Sequence, residues 1–482
     1  MSHHKRMYVG GQLLDGRETF EIANPATEET IGSVAWAGAS DAHRALESAQ
    51  AAFAGWAATP ISERAGWMHR LREAVIANED HLRACIHLEM GKNWAGTEED
   101  YQSLVNSLEY YAEEVSRFGP EPLVDREGTH THSLVHEPVG VAVAFIAWNF
   151  PLLNLAFKIG PAMAAGCPIV IKPSFKSPLS AYAVGELCAE IGLPAGVVNI
   201  LCGDDIEVGD ALSSSTIPAL LTLIGSSRTG RHIMKTGASS IKRYSMELGG
   251  NAPVLVFADA DLDLAADIVC AVKFGNAGQI CVTPNRVFVE KAVVETFAQK
   301  VVERAASVKV GFDRNAPIDM GPLIDAAAWQ RVDGLVADAV ESGAQLLAGG
   351  GRAPGQDRGY FYAPTVLKGV TAPMRIYNEE IFGPVVSLID FFDEASVLKE
   401  ANDTDAGLTA YVFTRDLQKA ERCASRLRFG EVQINGVKYA IDLPHIGIKQ
   451  SGIGCDCSHL ALHDYLAPKR ISRALADAGG LG

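Results

Sequence analysis

From Val139 onward the chain alternates apolar strand-like runs with helical runs at short intervals, and few folds accommodate that pattern. Residues 141–148, 169–171, 197–201 and 220–224 are almost wholly apolar and lack the polar alternation of a half-exposed strand, which predicts strands buried on both faces. Apolar-periodic helices separate them. Parallel strands joined by helices give a doubly wound, Rossmann-like α/β sheet, whose ligands bind beyond the carboxyl ends of the strands. Asn149, Lys172 and Gly225 fall at such ends. A second α/β unit is predicted after Gly249: strand 254–257, helix 261–274, strand 286–289 and helix 291–306, continuing through YFYAPTVL and EEIFGPVVSLIDF to EVQINGV.

Ahead of these units, residues 41–118 are Ala-rich, and Phe53, Trp56, Trp67, Leu71 and Val75 recur at helical spacing, so helices are expected to cover the first sheet. Pro120, Pro122 and Gly128 end that pattern, and the run to His136 reads as extended.

A chain of 482 residues is long enough for two or three domains with sizeable cores. Its net charge of -16, with no clustered Lys or Arg, excludes nucleic acid and anionic membrane as partners. No apolar run approaches the ~20 residues of a membrane span, and MSHHKRMYVGG lacks the apolar core of a signal peptide, so a cytoplasmic location is expected. Nine cysteines without framework spacing suit a reducing compartment. Cys455 and Cys457 form a C-x-C beside His459 and His463, a spacing that matches no standard zinc pattern; a structural role and no metal are expected there.

Four segments carry the chemistry. FGNAGQICVTPNR, from Phe274 to Arg286, sets Cys281 among small residues where backbone can approach a substrate, which makes it the candidate nucleophile. MELGGNAP supplies a carboxylate, Glu247, at a strand end; FIAWNFP places Asn149 where a strand gives way to a Pro-started helix; EEIFGPV adds Glu380 and Phe382. No GxGxxG follows any strand. GSSRTG, from Gly225 to Gly230, instead opens a helix whose first N–H groups and dipole suit a pyrophosphate.

These segments, in this order, resemble the aldehyde dehydrogenase superfamily from about Tyr8 to Pro468. The resemblance implies a cofactor-binding domain over 1–119 and 139–249, a catalytic domain over 250–464, and a small β oligomerisation element over 120–138 and 465–482, hence a homodimer or homotetramer. It implies NAD- or NADP-dependent oxidation of an aldehyde to its carboxylate. Cys281 forms a thiohemiacetal and then a thioester, the Asn149 amide and the Cys281 N–H bind the oxyanion, and Glu247 activates water. Relatives that pass the acyl group to coenzyme A typically lack this glutamate, so hydrolysis is expected. Lys158 resembles a lysine behind the active site that assists proton transfer, although a helix-surface lysine is an equal alternative. Ile146, Trp148, Lys172, Ser174, Phe175, Gly225, Ser226, Glu380 and Phe382 match cofactor positions.

Phe175 stands where many relatives have a glutamate that bonds the adenosine ribose, which leaves NAD as the default and NADP open. Phe150, Asn154, Phe157 and Lys438, with residues near Ser103 and in 437–441, match the substrate pocket. The arginine that succinate semialdehyde enzymes often carry at the Phe157 position is missing. A small polar or hydroxylated aldehyde is favoured; an anionic semialdehyde is the alternative, with Lys438 as its cation. A non-catalytic binding protein on the same fold is the reading from another class.

Overall fold

The computed structural model describes residues 3–475. Five parallel strands form the centre of an eight-stranded sheet, in the spatial order Arg243–Glu247, Pro218–Ile224, Val141–Ile146, Ile169–Pro173, Val198–Ile200. Chain order reverses between Val141–Ile146 and Pro218–Ile224, and the crevice beyond their carboxyl ends is where a doubly wound sheet binds its ligand. Every residue of Val141–Ile146 and Ile169–Pro173 is buried, as their unbroken apolar runs require.

Three short strands complete this sheet antiparallel, and none was foreseen: Met7–Val9 and Gln12–Leu14 at one edge, and Gly452–Ile453 at the other. A second small sheet, in which Thr30–Ala37 pairs with His3–Lys5, Glu18–Ala23 and Cys202–Gly203, also escaped the sequence reading. Strands of two or three residues carry too little periodicity to be read; Glu18–Ala23 and Thr30–Ala37, six and eight residues long, were missed although long enough to show it.

The helical region resolves into Ala39–Ala58, Ile61–Ala77, Glu79–Met90 and Gly96–Glu114. Seven strands form the next sheet, in the order Gln345–Ala348, Thr365–Lys368, Val385–Phe391, Pro284–Glu290, Ala252–Val256, Thr409–Phe413, Glu431–Ile434; all neighbours run parallel except the first pair. The large apolar cores of the two sheets are separate clusters. The extended excursion becomes Glu121–Leu123 and His130–Pro138, and His130–Pro138 pairs antiparallel with Leu466–Ala474 over nine residues. The first two residues, and the part of the 465–482 segment beyond residue 475, lie outside the described residues.

Candidate active site

Helix Leu262–Phe274 starts on an Asp261 side chain that accepts from Leu264 N–H, and it delivers the chain into the loop that carries Cys281. That loop is left-handed at three successive residues: Asn276, Ala277 and Gly278 have φ of 47°, 54° and 72°. A Cβ on Gly278 would sit 2.2 Å from the Gly383 carbonyl oxygen, so only glycine fits. Gln279, buried, ties the loop down. Its amide donates to Asn276 O at 3.0 Å and Pro322 O at 3.3 Å, and accepts from Ile324 N–H at 2.9 Å. Gly250 matters for a similar reason, since a Cβ there would meet the Cys281 carbonyl oxygen at 2.5 Å. Its N–H donates to Glu380 Oε1 at 3.1 Å.

Cys281 faces a cavity of about 910 Å³ at the switch point of the first sheet. Trp148, Asn149, Phe150, Asn154, Phe157, Gly225, Ser226, Glu247, Glu380, Phe382 and Lys438 all line it. Asn149 is buried; its amide donates to Gln279 O at 3.0 Å, and its Oδ1 accepts from Asn154 Nδ2 at 3.3 Å. One N–H of that amide therefore stays free to face the cavity. Asn154 thus orients Asn149 as well as lining the pocket. The Cys281 N–H has no hydrogen-bond acceptor among the described residues, unlike the N–H groups of Gln279 and Thr283 in the same loop.

Glu247 ends strand Arg243–Glu247 and is only 4 % exposed. One imidazole joins it to another carboxylate. His445 Nε2 lies 3.3 Å from Glu247 Oε1, and His445 Nδ1 lies 2.6 Å from Glu431 Oε1. The donor atoms of Glu247, Cys281 and His445 are all within 4.8 Å of one another. Burial, and then the Glu247 charge, push the Cys281 thiol up to about 12, while a hydrogen bond to His445 pulls the other way. Burial tends to lower the His445 pKa, yet hydrogen bonds to Cys281, Glu247 and Glu431 outweigh it and hold the imidazole well above its usual range. Sequence reasoning missed both His445 and Glu431.

On the other side of the cavity, helix Ser227–Gly237 opens at Ser226, whose Oγ accepts from Thr229 N–H at 3.1 Å. Phe382 holds φ at 48°, a conformation costly for an aromatic residue, and packs edge-on to Trp148 with ring centroids 5.6 Å apart. Burial pushes Glu380 up to about 7, with the Gly250 N–H opposing.

Ile146, Lys158, Lys172, Ser174 and Phe175 do not line the cavity. Ile146 is a buried strand residue paired with Pro173. Lys158 is fully buried, which rules out the helix-surface alternative; Asp456 accepts from it through both oxygens, at 2.6 and 2.8 Å. Lys172, 4 % exposed, donates to Asp205. Ser174 Oγ accepts from Lys176 N–H, and half-buried Phe175 packs edge-on against Phe20 with centroids 6.1 Å apart. All nine cysteines are free, and Cys455 Sγ contacts the Asp456 and Cys457 carbonyls at 3.1 and 3.8 Å.

An aldehyde dehydrogenase family model matches residues 14–471. The chain belongs to the aldehyde dehydrogenase family. It is accordingly an oxidoreductase that acts on the aldehyde group. It is 38% identical to the glutarate-semialdehyde dehydrogenase of Pseudomonas aeruginosa, over 97% of each chain, and 37% identical to the NADP-dependent succinate-semialdehyde dehydrogenase of Escherichia coli, over 96% of each. The betaine aldehyde dehydrogenase of Staphylococcus aureus, solved in complex with NAD+, superposes with a TM-score of 0.94 at 33% identity, covering 97% of this chain and 94% of that one. That structure thus shares the fold over nearly the whole chain.

Proposed function

We propose that this aldehyde dehydrogenase oxidises a small polar aldehyde to its carboxylate through a thioester on Cys281, with NAD or NADP as acceptor. The observation that carries this reading is convergence on one cavity: Cys281, the free Asn149 amide N–H and Glu247 line the same space as Gly225, Ser226, Glu380 and Phe382. The second group fits a dinucleotide. A helix N-terminus offers N–H groups to a pyrophosphate, and the Glu380 carboxylate offers an acceptor to ribose hydroxyls. Bound there, the nicotinamide supplies the hydride acceptor.

The protein's own residues do the rest. The Cys281 thiol gives up its proton, and its sulfur adds to the carbonyl carbon. The oxygen thereby becomes an alkoxide, held by the Asn149 amide N–H and the Cys281 N–H, the two donors left unsatisfied at this point. After hydride loss the acyl group remains on sulfur as a thioester. Glu247 then takes a proton from water, the hydroxide oxygen bonds to the acyl carbon, and the carbon–sulfur bond breaks to release the carboxylate. Lys158 lies one layer behind as a positioning group, anchoring Asp456, whose backbone pairs with that of His445.

The cavity walls favour a neutral polar substrate. Glu99, Glu247, Glu380 and Glu431 line them, while of the cations Arg331 is tied to the Glu380 and Ile381 carbonyls, His445 to Glu431, and Lys438 is exposed, so an anionic end would meet like charge. The named relatives favour the second reading, a semialdehyde with a distal carboxylate, for which Lys438 is the available cation. The sheet of Glu121–Leu123, His130–Pro138 and Leu466–Ala474 is the oligomerisation element in this reading, since it leaves Leu123, Val124 and Ile471 exposed. The nine free thiols suit the cytoplasm.

The test combines two variants with a substrate panel. Glu247→Gln is expected to release one equivalent of reduced cofactor in a burst while steady-state turnover falls about 10²–10³-fold, and Cys281→Ala to show neither. Loss of the burst in Glu247→Gln would place Glu247 before the thioester. Appreciable turnover by Cys281→Ala would remove the nucleophile. Faster oxidation of glycolaldehyde and lactaldehyde than of succinate or glutarate semialdehyde is expected, and the reverse ranking selects the second reading.

A further inference from the structure

His445 contacts both the proposed base and the proposed nucleophile, and it is built in from several sides. Its backbone is fixed by two hydrogen bonds with Asp456, His445 N–H to Asp456 O at 2.8 Å and Asp456 N–H to His445 O at 2.9 Å. The rings of Phe157 and Tyr439 flank the imidazole, with centroids 6.2 Å away in each case. The imidazole, Glu247 and Glu431 side chains are 10 %, 5 % and 11 % exposed, so solvent does little to screen them.

The hydrogen-bond geometry defines the protonation state. A neutral imidazole has one N–H, yet here each ring nitrogen faces a carboxylate oxygen, which is an acceptor. With both carboxylates ionised, both nitrogens donate and the ring is an imidazolium. Glu431 contacts Nδ1 at 2.6 Å, the shorter and stronger of the two interactions. Its other oxygen, Oε2, is buried without a partner, so Glu431 is committed to this one bond. The Nε2–H, 3.3 Å from Glu247, is the looser of the two, and the imidazole lies within 4.8 Å of Cys281 Sγ.

We propose that His445, oriented by Glu431, is a catalytic residue whose imidazolium forms an ion pair with the Cys281 thiolate in the attacking state. When the thiol ionises, its S–H bond breaks and the proton leaves to water in the cavity, so Glu247 stays a carboxylate. The new negative charge on sulfur draws the Nε2–H away from Glu247, exchanging one anionic acceptor for the other within the same 4.8 Å group. The sulfur lone pair then forms the S–C bond as the carbonyl π electrons move onto oxygen. Once the sulfur is acylated and neutral, the Nε2–H returns to Glu247 and holds the carboxylate that receives the proton of the hydrolytic water. Burial and the Glu247 charge raise the thiol even with His445 opposing them, so a thiolate without that cation would be scarcer still at neutral pH. The other titratable groups facing His445 are Tyr439, Cys455 and Cys457; each lies on the alkaline side of its usual range, mainly through burial, and none supplies a cation.

This inference rests on Cys281 being the nucleophile, and its test separates the two claims. The full-length enzyme, without cofactor and with a chelator so that no thiophilic cation sits on the three donors, is alkylated with iodoacetamide across pH 5.5–10, and the labelled cysteine is mapped by peptide mass. In His445→Gln the alkylation rate of Cys281 at pH 7 is expected to fall at least tenfold and the midpoint of its pH profile to rise by one unit or more. Glu431→Gln keeps the imidazole in place and removes only its anchor. It is expected to move the midpoint the same way by about half as much, and it decides the matter if His445→Gln does not fold. Superimposable profiles for wild type and Glu431→Gln, or for wild type and a folded His445→Gln, overturn the role of His445. Labelling that inactivates through a different cysteine overturns the nucleophile assignment itself.

Discussion

Lys158 and Lys273 are both fully buried within a helix turn or two of the cleft, and the protein treats them in opposite ways. Lys158 lies on helix Pro151–Ala165, which begins two residues after Asn149, and Asp456 takes its ammonium in two short hydrogen bonds. Lys273 lies on helix Leu262–Phe274, eight residues before Cys281, and its ammonium has no hydrogen-bond partner among the described residues. Burial pushes Lys273 down to about 7, and the nearby Glu380 only partly opposes that shift. Glu380 is itself pushed up to about 7. The comparison shows that a buried charge is tolerated in two ways, by a matched partner or by ready loss of the proton.

Breaking the matched pair is the largest effect expected. Lys158→Met leaves the Asp456 carboxylate buried and unpaired, which costs about 3–5 kcal/mol. Adding Asp456→Leu should recover most of that loss, because a buried pair replaced by apolar residues is often neutral. Urea denaturation of wild type, single and double variants measures both. A single variant within about 1 kcal/mol of wild type would mean that the pair is not what makes burial of Lys158 tolerable.

The unmatched lysine should respond with the opposite sign. Lys273→Met removes a buried group that makes no hydrogen bond, and a gain of up to about 4 kcal/mol at pH 7 is expected from a fall of about 3.5 pKa units, 10.5 to about 7, at ~1.4 kcal/mol each. The pH dependence follows from linkage. An unfolded lysine titrates at 10.5 and the folded one at about 7, so below pH 7 the native state carries the full penalty of a buried ammonium. Between 7 and 10.5 the unfolded chain binds the extra proton, wild-type stability rises with pH, and the gap to Lys273→Met closes; above 10.5 it is gone. Glu380 remains in both proteins, so the difference between their stability curves isolates the lysine. A gap that is constant from pH 6 to 10 would show that Lys273 does not titrate.

How much of this was legible in the sequence depends on whether a feature is local. The central strands were readable because strands buried on both faces are continuously apolar, and Cys281, Glu247 and Asn149 stood out because each lies in a short segment of distinctive composition. Lys158 had a readable environment: PLLNLAFKIGPAMAA is apolar on all sides, and a helix of that kind has no surface to put a lysine on. His445 and Glu431 left no such trace. They are separated by fourteen residues from each other and by nearly two hundred from Glu247, and only the meeting of the two sheets brings them together. The short N-terminal strands were missed because three residues cannot show a period.

A third buried lysine lies between the two extremes and gives the smallest effect. Lys172 is 4 % exposed, and its partner Asp205, on the loop after Cys202–Gly203, is 60 % exposed. From the sequence, Phe175 removes the carboxylate expected beside the adenosine ribose and leaves the site open to NADP. The fold supplies a carboxylate from elsewhere: Asp205 neutralises the one cation that a 2′-phosphate would seek, while Lys176 is held by Asp325 at 2.6 Å. NAD is therefore the expected preference. Asp205→Ser frees the Lys172 ammonium and is expected to raise the ratio of NADP to NAD efficiency about tenfold, ~1.4 kcal/mol, the scale of one charge contact in a partly solvated site. Phe175→Glu should lower the ratio by less, about threefold, because Lys172 already has an anionic partner and the new side chain replaces a ring packed on Phe20. Both ratios are read as kcat/KM for each cofactor at saturating aldehyde and fixed ionic strength, since an exposed carboxylate is screened by salt. An unchanged ratio in Asp205→Ser would mean that Lys172 does not face the ribose, and its pairing with Asp205 would then serve the fold alone.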